Sequence, residues 1–581
     1  MSKTNIDEHF KLPIFFNDKK MELAPNIIND LELCSTIDET STSMYIIVLS
    51  PSNCFGEKVM PMFSKYYTND TDFLKDTQQL IQTYNYELET SESNEELKYN
   101  LEDYNQMNAT WNEIKGETSF CEKYLYIDWE MGKFLNTNSS FLQVMSVYNV
   151  TSPLISFCLP IIVLIIPFFI MHAKGLNISV SQYVEILKVI VEKHAIGNLF
   201  LHFSEASFSQ QMYLLFSALL YTFSIYQNVL VCLRFYKNIT SIHKYLDTIK
   251  KYINYSLHKM QYYLYISENL SSYAGFNIEV KKHKLILEHC KNQIDMVSPF
   301  SFSWKSILNI GTTLKIFYEM YTNAQYNESF YFSFGLQGYL DNLNGLRNNI
   351  NNKNINYASL IEDKEESTLC KFEKSFYPTL MNSTHVKNTC NFKTNMIITG
   401  PNASGKTTIL KTSLINVILT QQFGCGCYQS ANLLPYKYIH CYLNIPDTSG
   451  RDSLFQAEAR RCKTIIDNIS ENKEDRHFCA FDELYSGTNP DDAISSSLAF
   501  MNYLLKYKNV TSILTTHYIK VCKQLDKTKN IKNYRMKTIQ NGETFEYTYI
   551  LEKGISKIKG GIKVLKDMNY PLEIVSNAQN K

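Results

Sequence analysis

The chain has 581 residues, 57 basic and 57 acidic side chains, and no net charge at neutral pH. A chain of that length holds roughly three or four domains. Its balanced charge excludes the class of strongly basic nucleic-acid binders, leaving room only for a local basic patch. Fourteen cysteines follow no regular framework, which fits reduced thiols in a cytosolic setting rather than a disulfide scaffold. The one tight pair, Cys425-Gly426-Cys427, has neither C-x-x-C redox nor zinc-ribbon spacing and reads as structural. The polar N-terminus, MSKTNIDEHFK, carries no signal-peptide pattern.

Residues 1–133 read as a mixed N-terminal region without assignable chemistry. Within it Met44–Leu49 is expected to be a short strand, and Asn85–Gln106 an acidic helix or solvated loop. The composition then changes. No charged residue lies between Lys133 and Lys174, nor between Glu205 and Arg234. The apolar centres, 153–171 and 212–233, define a candidate transmembrane helical hairpin within 134–235, since about 1.5 Å of rise per residue carries such a run across a bilayer. Between them Ser181–His194 is amphipathic. Two readings compete: a spanning hairpin, or all-round apolar helices in the core of a soluble domain. Pro160 and Pro167 are better tolerated in a spanning helix. An even number of spans keeps both flanks on one side, and the basic residues Arg234, Lys237, Lys244, Lys250 and Lys251 agree with a cytosolic flank. Residues 236–370 read as a helical lever-like region, with helices over Ser241–Asn269, Asn277–Met296 and Ser306–Thr322. An Asn-rich loop is expected at Asn348–Asn356 and a boundary near 370.

Chemistry concentrates in 371–581. The apolar run Ile397-Ile398-Thr399 ends in Gly400-Pro401-Asn402-Ala403-Ser404-Gly405-Lys406-Thr407-Thr408, followed by a helical pattern to about Leu419. The loop fits G-x-x-x-x-G-K-[ST], whose backbone N–H groups and helix N-terminus cradle phosphate. Lys406 is expected to reach the β- and γ-phosphates of ATP, and Thr407 to ligate Mg²⁺. A second apolar strand, Phe478-Cys479-Ala480-Phe481, delivers Asp482 and Glu483. Asp482 is expected to hold Mg²⁺ through water, and Glu483 to polarise the attacking water. A third, Ser512–Thr516, ends in His517, placed to sense the γ-phosphate or orient water. Three strand ends then line one crevice, where ligands bind in open α/β sheets. The fold class expected is an α/β P-loop ATPase domain of the ABC class behind the helical region, with catalytic groups Lys406, Glu483 and His517.

These residues, together with Asp482-Glu483-Leu-Tyr-Ser-Gly487-Thr488 and Thr516-His517-Tyr518, resemble the ATPase domain of the MutS mismatch-repair family over about 371–581. Ser453-Leu-Phe455-Gln-Ala-Glu458 fits the family's Ser-x-Phe-x-x-Glu loop. The resemblance implies that Ser453 reaches the nucleotide of a partner subunit, in a homodimer or a heterodimer with a related chain whose ATP sites are composite. It also implies double-stranded DNA, mismatched or branched, as a partner. Tyr377-Pro378 and Val386-Lys387-Asn388 resemble the adenine-side segment, which puts Asn388 at the nucleotide. Gly554–Ile574 resembles the helical end that packs between two ATPase domains, its lysines a solvated face. Phe120-Cys-Glu122 and Phe317-Tyr-Glu319 echo the family's Phe-x-Glu wedge but lack its context and read as chance. No mismatch-reading domain is recognisable. The chain therefore reads as a short, divergent, membrane-anchored form with its ATPase domain in the cytosol, against a soluble intracellular alternative. The rival functions are a membrane-tethered ABC-type ATPase, for which Ser449-Gly450-Arg451-Asp452 is a poor signature, and a nucleotide-gated scaffold.

Overall fold

The protein is seen in a computed structural model that describes residues 5–38, 40–84, 98–175, 178–193, 208–298, 309–362, 370–443, 445, 453–541, 544–558, 565 and 568–579. Expectations for 85–97, for the loop 447–452 and for most of the tail lysines lie outside these residues. The chain forms two compact units. One comprises Met1–Tyr104, Ser256–Leu285 and Ser329–Lys581; the other comprises Asn105–Tyr255 and Ile286–Glu328. This division does not follow the boundaries at 133, 235 and 370 expected from composition.

The first unit is built on a six-stranded sheet. Its strands are β1 (Asn395–Thr399), β2 (Tyr438–Tyr442), β3 (His477–Asp482), β4 (Val510–Thr516), β5 (Ile531–Asn541) and β6 (Thr544–Lys553), in the order β6-β5-β1-β4-β3-β2. All neighbours are parallel except β5 and β6. Strands buried on both faces read as continuous apolar runs, and Phe478 through Phe481 are fully buried. The registers pair Thr399 with Thr516 and Asp482 with Thr515. The carboxyl ends of the adjacent parallel strands β1, β4 and β3 therefore meet at one end of the sheet.

Helix α1 (Lys406–Phe423) follows β1 and is buried along almost its whole length. Gly424, with φ of 69°, stops it in the left-handed region that glycine enters without strain. The N-terminal region holds this helix. Gln422 donates to the carbonyls of Phe63 and Tyr66 at 2.8 and 3.0 Å and accepts from the Tyr45 hydroxyl at 2.8 Å. Gln421 donates to Thr68 O and Tyr436 O at 3.0 and 2.6 Å. Residues without chemistry of their own thus satisfy polar side chains that the apolar interior would otherwise strand.

Met44–Leu49 is a helix, not the expected strand. Its β-branched residues favour a strand, but Met44, Tyr45, Val48 and Leu49 lie on one buried helical face. Asn349 caps the end by donating to the carbonyls of Ile47 and Val48 at 3.2 and 3.0 Å. The Asn-rich loop is also shorter than expected. A helix that the loose Tyr and Asn pattern concealed, Ala324–Asn351, runs into it, and a strand begins at Asn356.

The second unit is helical. Ser139–Ala173 and the helix beginning at Phe208 lie side by side as a hairpin. The stretches Ser139–Leu159 and Gln211–Ile266 are long and apolar enough to cross a membrane, by length and composition. Leu154, Phe157, Phe169, Phe216 and Phe223 are all more than half exposed, so the pair does not form a buried core. At Pro153 and Pro160 other groups take the carbonyls that the prolines free. Pro153 has no N–H for Asn149 O, which accepts from Ser152 Oγ at 3.2 Å. Pro160 has none for Ser156 O, which accepts from the Tyr221 hydroxyl of the facing helix at 2.8 Å. Asn228 donates to Ser156 Oγ at 2.6 Å. Phe120 and Phe317 are buried in this unit, Phe120 stacking on Tyr321 with ring centres 3.7 Å apart. Both belong to its aromatic core.

Candidate functional site

The loop between β1 and α1 folds on the carbonyl of Pro401. Ser404 Oγ donates to it at 2.7 Å and Lys406 Nζ at 3.2 Å. Ala403 and Gly405 take left-handed backbone, φ 61° and 94°. Gly400 has no room for a side chain: a Cβ there would stand 2.7 Å from Ser404 Oγ. The loop is thereby wound with its glycines at the close approaches, as a phosphate cradle requires.

The three strand ends bring the predicted residues together. Thr407 Oγ1 donates to Asp482 Oδ2 at 3.0 Å, and Thr515 donates to Asp482 from the neighbouring strand. Sequence reasoning missed Thr515. Its signal is weak but present, since it sits opposite Asp482 in any parallel register that places Thr516-His517 at the edge. Glu483 has φ of 50°, an uncommon conformation for a non-glycine residue and of the kind that gathers at ligand sites. It is held there by its N–H to Thr515 O at 3.0 Å. Its Oε1 lies 2.6 Å from His517 Nε2 and 3.9 Å from Lys406 Nζ.

The His517 hydrogen bond, then the charges of His517 and Lys406, hold the Glu483 carboxyl below its usual range against the opposing effect of burial. Lys406 is lowered by burial, with Glu483 and Asp482 pulling the other way. The lowered carboxyl keeps Glu483 ionised as pH falls, until its own pKa is crossed. His517→Ala should therefore raise the Glu483 pKa and move the acidic limb of an ATP-turnover profile to higher pH. Turnover measured from pH 4 to 8 checks this; an unmoved limb would separate Glu483 from His517.

Lys406, Thr407 and Glu483 border a cavity of about 530 Å³, lined also by Phe376, Tyr377, His385, Met536 and Tyr549. That size suits a small-molecule ligand. His385 stacks on Phe376 with ring centres 4.3 Å apart. Asn388 reaches the wall, but its amide is engaged: Nδ2 donates to Tyr549 O at 2.9 Å and Oδ1 accepts from Leu551 N at 2.8 Å. It fastens β6 beside the cavity and so positions Tyr549. No sequence signal marked Tyr549 or Met536, because β5 and β6 carry no motif.

Ser453 is the exposed N-cap of α2 (Leu454–Glu471). Its Oγ accepts from Gln456 N at 3.3 Å in a capping box. No described contact brings it to the loop of its own chain. Glu458, one turn along, is buried and accepts from Ser486 Oγ at 3.1 Å and Gly487 N at 3.2 Å. It ties α2 to the turn that follows Glu483. Both thiols of Cys425 and Cys427 are buried and pushed up by that burial. Among the described residues no cluster of three or more His, Cys, Asp or Glu side chains could hold a metal ion.

The family model described as MutS domain V matches residues 396–581. The chain is 27% identical over 183 residues to the DNA mismatch repair protein MutS of Persephonella marina, covering 31% of this chain and 21% of that protein. It is 31% identical over 211 residues to MutS protein homolog 4 of Homo sapiens, covering 34% and 21%. To the DNA mismatch repair protein MutS of Aquifex pyrophilus it is 27% identical over 224 residues, covering 38% and 25%. The chain thus spans a quarter or less of the length of these relatives.

Proposed function

Since the chain is a member of the MutS family through residues 396–581, we propose that it binds ATP with Mg²⁺ and hydrolyses it as a dimer with composite sites, in a DNA-related role on mismatched or branched duplexes. The observation that carries the ATPase reading is the convergence of Lys406, Thr407, Asp482, Glu483 and His517 at the carboxyl ends of adjacent strands, beside a phosphate-type loop. Thr407 and Asp482 form a hard oxygen pair of the kind Mg²⁺ takes; bound there, Mg²⁺ would neutralise charge on the β- and γ-phosphate oxygens. The rest falls to the protein. Thr515 fixes Asp482. Lys406 exchanges the Pro401 carbonyl for phosphate. Glu483, ionised and steadied by His517, orients and polarises the water that attacks the γ-phosphorus in line. Turnover by the whole chain against turnover by its Glu483→Gln variant tests the reading, and equal rates would overturn it. The DNA role is tested by adding matched, mismatched and branched duplexes: ATP turnover should respond to the last two, and no response to any removes that role.

A second reading concerns where this happens. The exposed apolar hairpin fits a membrane-tethered form with the ATPase unit in the cytosol. Its support is the Tyr221–Ser156 bond, which satisfies a proline-freed carbonyl where lipid offers no partner. Carbonate-washed membranes should retain the expressed chain. Recovery in the soluble fraction would end this reading.

A further inference from the structure

We propose that the N-terminal segment around Glu32, Ser41 and Thr42 forms the ribose wall of the nucleotide site, so that this chain distinguishes ATP from 2′-deoxy-ATP. The proposal rests on the ATP reading above.

A second cavity, of about 610 Å³, lies beside the first. Glu32, Ser41, Thr42 and Asn382 line it together with Lys411, and it shares Tyr377, Thr407 and Thr408 with the nucleotide cavity. In the proposed pose the phosphates lie on Lys406–Thr408, the base lies toward Phe376 and Asn388, and the sugar lies between them, at the wall the two cavities share. The hydroxyls of a ribose are donors that need acceptors. Among the residues that line the second cavity, Glu32 of the N-terminal segment is the one carboxylate.

Glu32 is held for such a task. Its φ is 51°, in the left-handed region, where a non-glycine residue persists only if its surroundings impose it. The imposing bonds are Glu32 N to Asn29 O at 3.1 Å and Met44 N to Glu32 O at 3.0 Å. Oε1 accepts from Ile37 N at 3.3 Å, and a carboxylate with about four lone-pair sites retains capacity for more. The segment is also anchored to the nucleotide side, since the helix Met44–Leu49 packs against the turn Pro378–Leu380. The Glu32 charge also reaches Tyr377, a residue of the shared wall. Burial and then the Glu32 charge push its hydroxyl up to about 12.

The test is equilibrium binding of ATP and of 2′-deoxy-ATP, each with Mg²⁺, to the full chain and to its Glu32→Ala, Thr42→Val and Lys406→Ala variants. The native chain should bind ATP about tenfold tighter than 2′-deoxy-ATP, the worth of one hydrogen bond to a charged acceptor. Glu32→Ala should narrow the ratio to about twofold by weakening ATP, and Thr42→Val should narrow it less. Thr42→Val leaves the Ile37 bond in place, so the comparison survives if Glu32→Ala fails to fold. An unchanged ratio in the folded variants, or a native chain that binds both nucleotides equally, overturns the proposal. Lys406→Ala should weaken both nucleotides together; a native chain that binds neither sinks the ATP reading itself and this wall with it.

Discussion

Glu483→Gln should abolish ATP turnover while leaving ATP bound, with a loss of about 10²–10⁴-fold, the range for removing a positioned general base. The substitution preserves shape. The glutamine oxygen can still accept from His517, and the backbone of residue 483 keeps its bond to Thr515 O. What disappears is the negative charge proposed to polarise water. Binding should persist because it rests on other groups: the loop amides, Lys406 and the Thr407–Asp482 pair. Loss of the Glu483 charge also removes one of the two carboxylates facing Lys406, which leaves that ammonium freer to serve phosphate. ATP affinity of Glu483→Gln should therefore equal or exceed the native value. Rapid-quench turnover and equilibrium nucleotide binding on the same preparation check both halves. Native turnover in the variant would assign the base elsewhere, and loss of binding would make Glu483 a structural residue.

The site was far more legible in the sequence than the scaffold around it. Loop, carboxylates and histidine are local signals. Each is a short run at a strand end, and parallel pairing of three buried apolar strands is enough to bring them together. Ser453 and Glu458 were found through family resemblance, but Glu458's bonds to Ser486 and Gly487 join residues far apart in sequence, and no spacing encodes that. Glu32 lies hundreds of residues from Thr408, in a segment whose composition is unremarkable. The helix Met44–Leu49 misleads for a related reason. Its β-branched residues obey local propensity, while its conformation is set by burial of one face and by the distant Asn349. The membrane-length runs were readable from missing charge alone. That Pro160 is compensated by Tyr221 from the facing helix was not, because it depends on register between two helices.

Mixing Ser453→Ala with Lys406→Ala protomers should restore turnover that neither variant has alone. If each ATP site joins the loop of one chain to Ser453 of its partner, random pairing makes about half of the dimers mixed, each with one intact and one doubly defective site. The mixture should then reach about a quarter of native turnover. The structure favours such sharing. Ser453 is exposed and caps an eighteen-residue helix whose N-terminus is suited to an anion, yet no described contact joins it to its own loop. Its helix is also tied to the strand that carries Glu483, since Glu458 grips the turn just beyond that residue. A partner's γ-phosphate drawn to Ser453 would thus pull on α2, and through Glu458 on the turn that sets Glu483. The second arm of the experiment follows from that link. Glu458→Gln, which keeps an acceptor for Ser486 or Gly487 but not the charge that serves both, should reduce turnover in the protomer whose own loop is intact, with less effect on its ATP affinity. Turnover of the mixture equal to the average of the two separate variants would show that each chain completes its site alone.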